Sequence, residues 1–157
     1  MKYILIFCLL FTGAIAAQDL GFNHLQNIHS GGEAEADEIL TELGWQRDGD
    51  KKSWFYGEKK AHAMTWCDIK SGPEGEYVLY MTNQNSTYVA IKDKVKEEGS
   101  LFKSKMKSPN YFYAYKTDNY GAIFVMRKQS GTKVGSYAIY YSGLDGMESL
   151  WEQVKNQ

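Results

Sequence analysis

The chain has 157 residues, with 18 Lys and Arg against 19 Asp and Glu, and it is 43 % hydrophobic and 24 % charged. So even a balance lacks the basic footprint of a nucleic-acid binder, and the apolar content excludes a disordered chain. The unusual quantity is aromatic: 7 Phe, 4 Trp and 12 Tyr.

Residues 1–17 have the pattern of a cleaved secretory signal peptide. Lys2 supplies the positive start, Tyr3 to Phe11 an apolar stretch, and Ala14-Ile15-Ala16-Ala17 the small residues before Gln18-Asp19. Cleavage is expected after Ala16 or Ala17. The apolar stretch is shorter than the roughly 20 residues that span a bilayer. The expectation is therefore a secreted or periplasmic protein with no stable membrane insertion. Residues 18–157 form one domain of 157 − 17 = 140 residues, and Cys67 is its single cysteine. It can form no internal disulfide, and His62 lies five residues earlier in the same predicted strand, hence on the opposite face. Cys67 reads as a buried, inert thiol.

A short helical turn is expected around Phe22 to Ile28. Ala36, Ile39, Leu40 and Leu43 then form one stripe of a helix. Glu33, Glu35, Asp37 and Glu38 crowd its first turns, where the helix dipole favours negative charge, and Gly44 stands at the stop position. Asp48-Gly49-Asp50 reads as the turn before the first strand, without the further oxygen ligands of a calcium loop. Strands are predicted near 53–58, 61–70 and 76–82, with Ser71-Gly72-Pro73-Glu74-Gly75 turning between the last two. A second helix starts at Asn85 or Ser86 as N-cap, carries Tyr88, Ile91 and Val95 inward, and ends at Gly99. Further strands are predicted near 110–117, 120–129 and 135–142, broken by Thr117-Asp118-Asn119 and Ser130-Gly131-Thr132. A third helix starts at Asp145, with Glu148 placed to close a capping box and Met147, Leu150, Trp151 and Val154 as its stripe.

The two halves resemble each other. Ser53-Trp54-Phe55-Tyr56-Gly57 aligns with Asn110-Tyr111-Phe112-Tyr113-Ala114 at an offset of 57, and Tyr77-Val78-Leu79-Tyr80 with Tyr137-Ala138-Ile139-Tyr140 at 60. Tyr88, Ile91 and Val95 overlay Met147, Leu150 and Val154 at 59. The expected fold is α+β: tandem α-βββ repeats over about 33–83 and 85–142, then a C-terminal helix over about 145–155. Together they give a mainly antiparallel sheet of about six strands with helices on one face. This layout resembles that of the β-lactamase inhibitory proteins, whose repeats present a concave sheet to a partner. Their paired cysteines are absent from this chain.

No H-E-x-x-H, G-x-S-x-G, P-loop or G-x-G-x-x-G occurs. His24 and His29 are five apart, a spacing that does not align them on one helical face, so no metal and no cofactor is expected. Asn85-Ser86-Thr87 matches a glycosylation acceptor, relevant only in a eukaryotic secreted protein. Lys92, Lys94 and Lys96, followed by Lys103, Lys105 and Lys107, are diluted by Asp93, Glu97 and Glu98 and read as a solvated face. The aromatics carry the functional expectation. By strand alternation Trp54 and Tyr56 share a face, as do Tyr111, Tyr113 and Tyr115, while Phe55, Phe112 and Ala114 suit the helix-covered side. Tyr80 and Tyr140 join the first set. An open face of Trp and Tyr would dock a protein or peptide, making the chain a non-enzymatic binding module. The alternative is a small-ligand carrier with an aromatic pocket; a Cys67-dependent enzyme is less favoured.

Overall fold

The computed structural model describes residues 20–57, 65–128 and 134–157. The leader, His62 and the Ser130-Gly131-Thr132 break lie outside the described residues. In chain order the elements are α1 (Phe22–Glu42), β1 (Gln46–Arg47), β2 (Ser53–Tyr56), β3 (Thr65–Gly72), β4 (Gly75–Thr82) and α2 (Asn85–Glu98). They continue with β5 (Ser100–Lys107), β6 (Asn110–Lys116), β7 (Tyr120–Lys128), β8 (Val134–Gly143) and α3 (Met147–Val154). The fold is α+β. Eight strands form one antiparallel sheet in the order β1-β2-β3-β4-β8-β7-β6-β5, so β4 and β8 meet at the centre.

About six strands are expected from the sequence, and eight are present among the described residues. The additional two, β1 and β5, lie at opposite edges. An edge strand has one neighbour and can stay polar, so it lacks the apolar alternation by which a strand is recognised. β1 has only two residues, and β5 reads Ser-Leu-Phe-Lys-Ser-Lys-Met-Lys.

Helix α1 joins the expected turn at Phe22 to the expected helix ending near Leu43. The join is Gly32, at φ 67° and ψ −147°, a conformation that costs glycine least. Phe22, Leu25 and Ile28 before the break, and Ala36 and Leu40 after it, are buried. Gly44 ends the helix as expected, at φ 79°. Its N–H donates to Thr41 O (2.9 Å), and the Trp45 N–H donates to Leu40 O (2.8 Å). This is the paired bonding of a Schellman stop. The other two starts differ from expectation. Gln84 holds the N-cap position of α2, and Asn85, one residue inside, accepts a bond from the Tyr137 hydroxyl (2.8 Å). Helix α3 starts at Met147, with Gly146 as N-cap, and Glu148 pairs with Lys103 instead of closing a capping box.

The helices do not share one face. Helices α1 and α2 cover Trp54, Cys67, Ile69, Val78, Tyr80, Tyr115, Ala122, Phe124, Ile139 and Tyr141. Helix α3 covers the opposite side, placing Met147, Leu150, Trp151 and Val154 against Tyr77, Leu79, Phe112, Ala114, Ile123, Val125, Ala138 and Tyr140. The central strands require this. Ala122, Ile123, Phe124 and Val125 are consecutive and all buried, a run that belongs to a strand covered on both faces.

Candidate functional site

The structure covers both faces of the aromatic strands, so the Trp and Tyr set expected on an open face is buried or half-buried as well. Trp54 (0 % exposed), Tyr80 and Tyr115 lie in the core beneath α1 and α2, with Tyr56 and Tyr113 packed at its margin. Half-buried Tyr111 stands on that same face, opposite Met126. Tyr140 is in the other core, under α3. Phe112 and Ala114 face α3, and Phe55 lies on the same side of the sheet through its register with Trp66, Met81 and Ala138. Alternation separates the two faces of a strand but carries no sign saying which face is covered.

Several of the aromatic polar tips are bonded by side chains at the rim of the cores. Trp54 Nε1 donates to Asp37 Oδ1 (2.8 Å), the Tyr120 hydroxyl to Glu98 (2.8 Å) and the Tyr140 hydroxyl to Gln157 (3.1 Å). The rings also pack on one another: Tyr88 on Tyr137 at 4.5 Å, Tyr120 stacked on Tyr141 at 4.9 Å. These aromatics therefore fill the space between sheet and helices.

The acidic stretch of α1 has a tertiary role. Arg47 of β1 pairs with both Glu33 and Asp37, and its guanidinium lies 5.4 Å from the Trp54 ring centroid. Short β1 is thereby held to the helix above it. No sequence pattern announced this contact, because its partners are ten and fourteen residues apart.

Cys67 is buried in the α1–α2 core, and that burial, with Asp68 beside it, pushes its thiol far above the usual range. A thiolate nucleophile is not available there. Native protein treated with iodoacetamide is expected to leave Cys67 unmodified, with labelling only after unfolding, as read by peptide mass spectrometry. Modification of Cys67 in the folded protein would overturn its placement.

His24 and His29 do not share a site. His24 Nδ1 accepts the Gly21 N–H (3.1 Å) at the start of α1. His29 reaches the central seam of the sheet, where Nε2 accepts the Gly143 N–H (3.2 Å) and the ring also bonds the Glu76 backbone. Beside it lies a recess of about 370 Å³ whose lining includes Glu74, Glu76, Ser142 and Asp145. Glu76 is bonded to Lys52 and Glu74 to Ser149, each at 2.8 Å. Among the described residues no group of three His, Cys, Asp or Glu side chains could hold a metal ion, and no helix is long and apolar enough to cross a membrane.

The exposed feature left by this packing is the edge strand β5. It pairs with β6 on one side, and on the other its N–H and C=O groups have no strand neighbour among the described residues. Leu101 is 54 % and Met106 70 % exposed, two of the three large hydrophobic residues that stand out to solvent among the described residues. Lys103, Lys105 and Lys107 alternate with them. The lysines of α2 lie elsewhere: Lys92 sits 3.7 Å from the Tyr113 ring centroid, on the opposite face of the sheet. The six lysines close in sequence thus form two separate groups.

No family model matches the chain, and neither a curated protein nor a solved structure matches it. The likeness in layout to the β-lactamase inhibitory proteins rests on element order alone.

Proposed function

We propose that the protein is an exported, non-enzymatic binding module that takes a protein or peptide partner in extended form along β5. The observation that carries this reading is an eight-residue terminal strand, paired on one side only, with Leu101 and Met106 exposed along it. An unpaired strand edge is a template for another extended chain: main-chain bonds supply affinity and alternate side chains supply selectivity. Export rests on the leader pattern of residues 1–17, and the burial of Cys67 counts against a thiol enzyme. Duplication of a helix-plus-meander unit belongs to the same reading. It accounts for the alignment of β2 with β6 at an offset of 57 and for two meanders, each preceded by a helix of the same core, meeting through β4 and β8.

Peptides selected on the purified protein from a random display library test this directly by amide hydrogen exchange. A bound peptide is expected to slow exchange in Ser100–Lys107 and to leave β1, at the far edge, unchanged. Selected peptides that protect another surface while Ser100–Lys107 exchanges as before would refute the edge as the docking element.

A further inference from the structure

We infer that the segment received by β5 alternates acidic and apolar residues, its acidic side turned toward α3; this rests on the edge-docking reading above. The pairing register defines the two sides of the strand. Lys103 stands opposite Ala114 and Lys105 opposite Phe112, two residues buried under α3, and Lys107 follows opposite Asn110. Leu101, Ser104 and Met106 stand opposite Tyr115, Tyr113 and Tyr111, on the other face. A bulge between Leu101 and Lys103 resets the alternation, so all three lysines share the α3 side.

The charges on that side are unevenly matched. Lys103 pairs with Glu148, and Lys155 with Glu152. Lys105 and Lys107 reach only main-chain oxygens at the end of α3, those of Lys155 (3.4 Å) and Asn156 (3.2 Å). Cations suit a helix C-terminus, but a carbonyl does not neutralise an ammonium. Glu152, already paired with Lys155, is the carboxylate that feels the Lys105 charge, and Lys116 of β6 adds a further ammonium 4.0 Å from the nearby Phe102 ring centroid. Lys103 and Lys105 also border a groove of about 510 Å³ with Trp151, Glu152 and Lys155.

A strand laid beside β5 presents alternate residues to the same two faces, about 7 Å apart along each face. Carboxylates at every second position would therefore meet the Lys105 and Lys107 row. Apolar residues at the intervening positions would cover Leu101 and Met106. A second copy of this chain is a poor occupant, because antiparallel pairing of two β5 edges would bring like-charged lysine rows together.

The probes are three fluorescent peptides of about eight residues, alternating Val with Glu, Ser or Lys, titrated onto the purified protein with hydrogen exchange read in parallel. The Glu–Val peptide is expected to bind about tenfold tighter than Ser–Val at low salt, and the Lys–Val peptide weakest, with the spread closing as salt rises. Lys105→Glu with Lys107→Glu, two exposed substitutions outside the core, is expected to reverse the order. Equal affinity for Glu–Val and Ser–Val, with Ser–Val still protecting Ser100–Lys107, would overturn the charge inference and leave edge docking standing. Failure of all three peptides to protect Ser100–Lys107 would overturn the docking reading itself. Concentration-dependent self-association that protects those amides without peptide would replace the peptide by a second copy.

Discussion

Trp54→Ala is expected to destabilise the protein by about 3–5 kcal/mol, a large part of the roughly 5–15 kcal/mol by which a domain is stable. The indole is fully buried among residues from α1 and the sheet, and its Nε1 donates to Asp37. Asp37 also accepts from Arg47, whose guanidinium lies over the same ring. Truncation therefore opens a cavity and leaves the Arg47 contact without the surface it packs on. Met106→Ala, at a side chain 70 % exposed, is the matched control and should fall within about 0.5 kcal/mol of the parent. Urea unfolding of both variants makes the comparison. A Trp54→Ala protein with the parental midpoint would place the indole outside the core and return it to the surface expected from sequence.

His29→Ala is expected to cost roughly 1–3 kcal/mol near neutral pH and to remove a pH dependence expected of the parent. The imidazole joins α1 to the seam where β4 and β8 meet, accepting the Gly143 N–H and bonding the Glu76 backbone. Without it, the part-buried Gly143 N–H loses its partner, at about 1–3 kcal/mol when unsatisfied. Burial holds the His29 pKa below its ordinary value of 6.5, overriding the opposing influence of Glu76. The sign follows from linkage. A histidine whose folded value is depressed contributes stability that is fully present above about 6.5 and is lost as the pH falls toward the folded value. Protonated Nε2 can no longer accept from Gly143, so the geometry points the same way. Melting temperatures of the parent and His29→Ala should differ most near pH 7.5 and converge on acidification below pH 6.5. A constant gap across that range would mean that the proton on His29 is not linked to folding.

Much of the secondary structure was legible because it rests on local periodicity. Tyr88, Ile91 and Val95 recur at helical spacing, and α2 buries all three. Met147, Leu150, Trp151 and Val154 do the same for α3. Gly72-Pro73-Glu74-Gly75 turns the chain where its residue chemistry requires, closing β3 onto β4 with Gly72 opposite Gly75. What escaped was polar. β5 was hidden because its lysines satisfy a sheet edge and not a core, although the spacing of Lys103, Lys105 and Lys107 carried the strand period in plain view. The role of His29 was hidden for another reason: Gly143, its partner, lies 114 residues away.

The sequence by itself determined the α+β class, the antiparallel pairing favoured by short connections, the inward stripes of the helices and the division of each strand into two side-chain sets. These depend on spacing between near neighbours, which the chain carries locally. Only the tertiary structure decided that both sets are covered, one by α1 and α2 and the other by α3, because alternation within a strand carries no information on how many of its faces are packed. It put Trp54, Tyr80 and Tyr115 under α1 and α2, sent α3 to the opposite face, and left the lysine-lined edge of β5 open to solvent.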